Sequence, residues 1–215
     1  MLRNSNSVDV LTLTLLGCLI IVALSKMLFP KRFNQFATLL FNNRYINQYN
    51  KDQQIVDTFE GLLFANLIVN LGIIVYLFLQ NNQISTAPLN LFIYTAAIGL
   101  FIIVKVVLEK LISNILAIGP IIDKYNFQRI SFRNFAGLLL LPINALLIYT
   151  VTPNNTMLIT ALAILFLIII YGVFLFIKNN LNTFKKSLFY FILYLCTLEI
   201  APYIVLYKII TNNKV

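Results

Sequence analysis

The chain has 215 residues, 60% of them hydrophobic and 11% charged, with 16 Lys and Arg against 7 Asp and Glu and a formal net charge of +9. So little polar residue cannot solvate a globule of this size, which excludes a separate soluble domain. The positive excess is not interleaved with a stacking surface, which excludes nucleic acid as a partner, and the absence of histidine removes the usual general base and the commonest metal ligand.

In chain order, the first apolar run spans Val10 to Phe29, near the ~20 residues that a bilayer core requires. Leu15, Leu16, Gly17 and Cys18 loosely imitate a lipoprotein cleavage box. Because Asp9 precedes the run and apolar residues continue past Cys18 to Phe29, an uncleaved first span is expected instead. Pro30 then stops the helix. In the long gap that follows, Phe33, Phe36, Ala37 and Leu40 recur at helical spacing while Asn34, Gln35, Thr38, Asn42 and Asn43 fill the other face. That pattern predicts an amphipathic helix lying in the membrane interface.

The second run, Phe59 to Gln80, opens with Glu60, which faces the positive end of the helix dipole and is expected to need no special partner. Asn66 and Asn70 follow, four residues apart and so on one helical face near mid-bilayer. The third run, Leu89 to Ile112, carries Lys105 and Glu109 as an i, i+4 pair, and Lys105 must snorkel, pair with Glu109 or reach a carboxylate elsewhere. Gly119 and Pro120 should break any continuing helix, after which Asp123, Lys124, Arg129 and Arg133 are expected outside the membrane.

The fourth run, Phe135 to Thr152, contains Pro142 with Asn144 two residues on. The fifth is Met157 to Ile177, and the sixth, Leu188 to Ile209, contains Glu199 three residues before Pro202. Proline frees a backbone carbonyl one turn back, so a carboxyl beside such a break can hold a proton or a cation. Glu199, Asn144, Asn66, Asn70 and Lys105 therefore form a candidate intramembrane polar site, with Pro142 and Pro202 as helix breaks. A charge at that depth costs ~2.5 to 3.5 kcal/mol even on the mildest insertion scale. The plainer role for the three asparagines is interhelical hydrogen bonding.

Positive charge sits in alternate gaps. Lys31, Arg32, Arg44 and Lys51 follow the first run, Lys110, Lys124, Arg129 and Arg133 the third, and Lys178, Lys185 and Lys186 the fifth; the second and fourth gaps hold none. Short basic loops stay cytoplasmic, so both termini are expected in the periplasm and the basic residues against anionic lipid. Cys18 and Cys196 both fall within apolar runs, as buried hydrophobes rather than a disulfide. Acidic residues are too few and scattered for a metal or paired-carboxylate site, and no phosphate loop or nucleophile elbow is present. No metal and no cofactor are expected.

The segments VDVLTLTLLGC, RFNQFATLLFNNRYINQY, IVKVVLEKLI and YNFQRISFRNFAGLLLLPINALLIY together resemble a domain-of-unknown-function family of small polytopic inner-membrane proteins from Bacteroidota. The resemblance runs over nearly the whole chain and implies an inner-membrane location in a didermic bacterium, but no activity. The expected fold is all-α, a single integral membrane domain over residues 1–215 with six transmembrane helices and an interfacial helix in the first cytoplasmic loop. Two functions remain open: an accessory or scaffold subunit of an envelope complex, which implies a membrane-protein partner, or a small proton- or cation-coupled transporter using Glu199.

Overall fold

A computed structural model describes residues 5–42, 44–49, 57–82, 87, 89–115, 119–150 and 154–179. The expected sixth span, with Glu199, Pro202 and Cys196, lies outside the described residues. The described chain is all-α: α1 (Ser5–Leu28), α2 (Pro30–Ala37), α3 (Arg44–Tyr49), α4 (Thr58–Asn81), α5 (Asn90–Ile115), α6 (Gly119–Tyr149) and α7 (Asn155–Asn179). Five of these helices, all but α2 and α3, are long and apolar enough to cross a membrane. The chain divides into two compact units, Met1–Val173 and Phe174–Val215. The side chains discussed below belong to the first.

Local chemistry explains the helix ends. Pro30 opens α2, where its fixed φ suits a first helical position and its missing N–H costs nothing. Asp57, in an extended conformation, caps α4 by accepting a hydrogen bond from the Phe59 N–H at 3.2 Å. α5 is described as far as Ile115, and Gly119 and Pro120 are the first two residues of α6. However, α6 starts well before the expected boundary at Phe135 and carries Arg129 and Arg133 within it. Pro142 lies inside α6 with its side chain exposed. Among the described residues the first gap holds two short helices: α2 carries Phe33, Phe36 and Ala37 of the expected amphipathic stretch but ends before Leu40, Ala37 is exposed, and Phe36, Leu39 and Tyr45 are fully buried.

α4 is the central element, packing chiefly on α6 and also on α5 and α1. Half of its membrane-length window is buried, against 17% for α5 and 17% for α7, so the outer helices turn most of their apolar surface away from the bundle. The core joins Leu11 of α1, Ile73, Ile74 and Leu77 of α4, Leu91 of α5, Leu140 and Leu147 of α6, and Leu158 and Ala161 of α7. Small residues set the closest approaches. A Cβ added at Gly137 would lie 2.8 Å from the Leu67 Cα, and one at Gly172 2.6 Å from the Phe132 ring, distances that carbon atoms do not tolerate. Glycine at position 137 therefore lets α6 lie against the α4 backbone where polar side chains can bridge the two helices.

Candidate functional site

Among the described residues, three clusters of interacting polar side chains lie in the interior. The first is built around Glu60, in the first turn of α4 and 8% exposed. Its Oε1 accepts from the Tyr45 hydroxyl of α3 at 2.5 Å and from the Ser131 hydroxyl of α6 at 2.9 Å. Asn134 Nδ2, one turn along α6, donates to Oε2 at 2.5 Å and to the Glu60 carbonyl at 3.1 Å. The Asn134 Oδ1 is buried with no hydrogen-bond partner among the described residues. Contrary to the dipole-only expectation, Glu60 thus has partners from two other helices. It is brought to them because Gly137 and the neutral 131/134 face of α6 admit it.

The loop carries a second layer over this carboxyl. The Arg32 guanidinium donates to the Tyr45 hydroxyl from Nε and from Nη2, each at 3.3 Å, and forms an ion pair with Asp57. It also lies over the rings of Tyr49 (4.6 Å), Phe59 (4.9 Å) and Tyr45 (5.7 Å), the geometry of a cation held by aromatic faces. Phe36 packs edge-on against Tyr45, Phe59 and Phe135, and Tyr45 stacks on Phe127 of α6. Burial, then the Glu60 carboxyl bonded to it, pushes the Tyr45 phenol far above its ordinary value, with Arg32 opposing. Tyr45 therefore remains a hydrogen-bond donor across the physiological range.

The second group is the pair of asparagines on α4 and their partner on α6. Asn66 Nδ2 donates to the Gly137 carbonyl at 3.2 Å, Asn70 Nδ2 to the Asn66 carbonyl at 2.8 Å and to Asn66 Oδ1 at 3.1 Å. Asn144 Nδ2 donates to the Asn70 carbonyl at 3.1 Å and to Asn70 Oδ1 at 2.9 Å. All three asparagines are fully buried. Glu60, Asn66 and Asn70 span ten residues, about 15 Å of helix, so the α4–α6 contact is a polar seam that begins under the loop and runs inward.

The third group joins α5 to α6. Arg129 forms a two-pronged ion pair with Glu109, and Lys105 Nζ lies 3.8 Å from Glu109 Oε1. Lys105, Glu109 and Arg129 are all buried. Arg129 was expected in an exposed connection; in the structure α6 extends past it, so it enters the bundle and meets Glu109. The structure thus brings Asn66, Asn70 and Asn144 together and sets Lys105 in a separate group with Glu109. Glu199 and Pro202 lie outside the described residues. Among the described residues, no three His, Cys, Asp or Glu side chains gather as a metal ion requires, and Cys18 is a buried free thiol.

Sequence reasoning missed Tyr45, Ser131, Asn134, Arg32 and Asp57 as members of one site. A signal was available only on α6, where Ser131, Asn134, Gly137 and Asn144 recur at helical spacing. The contribution of the loop depends on tertiary docking and has no periodic trace. The model of a family described as Domain of unknown function (DUF4271) matches residues 11–210. No curated protein matches the chain, and no solved structure does.

Proposed function

Because the chain belongs to the family described as Domain of unknown function (DUF4271), over residues 11–210, its role has to be inferred from its own residues, and we propose that it is a multi-pass inner-membrane protein serving as a non-enzymatic scaffold or accessory subunit of an envelope complex. One observation carries this reading: buried polar groups of the α4–α6 seam and the overlying loop bind one another across helices. Glu60 has three donors, Glu109 has two cations and Arg32 has Asp57. Such a network fixes one arrangement of helices, which a scaffold needs. In this reading the sixth span is 188–209, both termini are periplasmic, and the exposed Lys31, Arg44 and Lys124 meet anionic headgroups of the cytoplasmic leaflet.

The test is mild-detergent purification of the full chain from its native membrane. Recovery of one membrane protein in fixed stoichiometry supports the scaffold role; recovery of the chain alone, without partners in crosslinked membranes, removes it.

The second reading is an ion-coupled transporter with Glu199 as the coupling group. What favours it is Asn144 Oδ1, buried without a hydrogen-bond partner among the described residues, two residues past Pro142, which was expected to break the helix but which α6 runs through without interruption. Under it, Glu199→Gln folds normally and loses function, because a coupling group must gain and lose an ion. Under the scaffold reading the same variant complements a deletion strain fully.

A further inference from the structure

Two carboxylates are buried among the described residues, and they differ in company. Glu109 faces Arg129 and Lys105. Among the described residues, Glu60 is bonded by hydroxyl and amide groups and by no cation. Arg32 stops at the Tyr45 hydroxyl and is held by Asp57. The groups around Glu60 are thus Arg32 from α2, Tyr45 and, behind it, Tyr49 from α3, Asp57 at the head of α4, and the neutral Ser131 and Asn134 from α6. None of the described residues of α1, α5 or α7 gives Glu60 a hydrogen bond or an ion pair. A carboxyl held away from water with neutral neighbours is a place where a proton can serve as the counter-charge.

Asn134 adds an independent sign. Its Nδ2 stands 2.5 Å from Glu60 Oε2 while its own Oδ1 is buried without a partner among the described residues. The nitrogen and oxygen of an asparagine amide exchange places by a half-turn with almost no change in shape. In one setting a carboxylate Oε2 accepts from Nδ2. In the other a carboxylic Oε2–H donates to Oδ1 and Oε1 keeps the hydroxyls of Tyr45 and Ser131, while the bond from Nδ2 to the Glu60 main-chain carbonyl is given up.

We propose that Glu60 is a proton-binding site and that Asn134 is its responsive partner, turning its amide as the proton comes and goes. Uptake forms one O–H bond at Oε2 with a proton drawn from solvent, and release returns that proton to solvent. No other covalent bond changes. This inference is independent of the scaffold reading and does not involve Glu199.

Infrared difference spectra recorded against pH, on the full chain in lipid bilayers with carbon-13-labelled glutamate, test it. A carboxylic C=O band carrying the glutamate label should disappear as the pH rises. It should be lost in Glu60→Gln, retained in Glu109→Gln and Glu199→Gln, and shifted in frequency in Asn134→Leu, which keeps the carboxyl but removes its amide partner. The proposal is overturned if no labelled carboxylic band responds to pH, if the band persists in Glu60→Gln, or if Asn134→Leu leaves its frequency unchanged. Should Glu60→Gln not fold, the Asn134→Leu comparison decides alone.

Discussion

At the scale of single residues, the chain places its polar groups by pairing rather than by exposure. Tyr45 shows how. Its hydroxyl donates to Glu60 while accepting from Arg32, so Tyr45→Phe removes three contacts and should cost about 1–3 kcal/mol of stability, read from a denaturant titration in micelles. The sign of its pH dependence follows from its raised phenol. Unfolded tyrosine ionises near its ordinary value of about 10 and the buried one does not. The contribution of Tyr45 is therefore complete below that value and declines as the pH climbs past it. Stability of the parent protein should fall more steeply above pH about 10 than that of Tyr45→Phe. Asn70 is the second residue to test. It links Asn66 to Asn144, and Asn70→Leu should cost about 1–3 kcal/mol by removing the side-chain bonds to Asn66 and Asn144 while leaving Asn144 only the main-chain carbonyl of residue 70, whereas the exposed Asn82→Leu should change stability by less than about 0.5 kcal/mol. Asn66, Asn70 and Asn144 were legible in the sequence because four-residue spacing and depth in an apolar run both mark them. Glu60 looked ordinary because a helix N-terminus alone accounts for a carboxylate; nothing local announces that Tyr45 will dock on it.

Among the helices, closeness is decided by glycine. The Leu67 backbone blocks a side chain at position 137, while nothing lies within 4 Å of a Cβ placed on Gly61. Gly137→Ala should therefore push α6 from α4 and destabilise by about 1–3 kcal/mol, whereas Gly61→Ala should be neutral or stabilise by about 0.5–1 kcal/mol through reduced chain entropy. Thermal unfolding of the two variants side by side separates the effects. Long apolar helices were legible because hydrophobic length alone specifies them. Their starts were less so: α6 reaches back to Gly119 because the segment around Tyr125, Gln128 and Arg129 is buried among neighbours, a condition that hydropathy does not register. The same applies to α2 and α3, where Phe36 and Tyr45 pack with Phe59 and not simply on one amphipathic face.

For the whole molecule, alternating basic gaps remain the guide to orientation. Under the proposed orientation, single cysteines introduced at Asn82 and Asn154 should react with an impermeant reagent from outside intact cells, and those at Arg44 and Lys124 only after the membrane is opened. Arg129 is unsuited to such labelling because it is buried against Glu109. Labelling of position 44 from outside would invert the orientation.

The α4–α6 seam also bears on how the protein is made. Asn66 waits for a partner 71 residues later, and Glu60 and Asn70 for partners 74 residues later. During synthesis α4 leaves the ribosome with a carboxyl and two amides on one side, and α5 follows before α6 exists. Hydrocarbon offers these groups nothing to bind. In the membrane-protein reading proposed above, lateral release of α4 into lipid on its own is thus unfavourable, and the nascent chain gains by remaining at the insertion machinery until α6 arrives. In a series of stalled chains of increasing length, crosslinks from α4 to the insertase should persist through α5 and be lost once Asn144 has emerged.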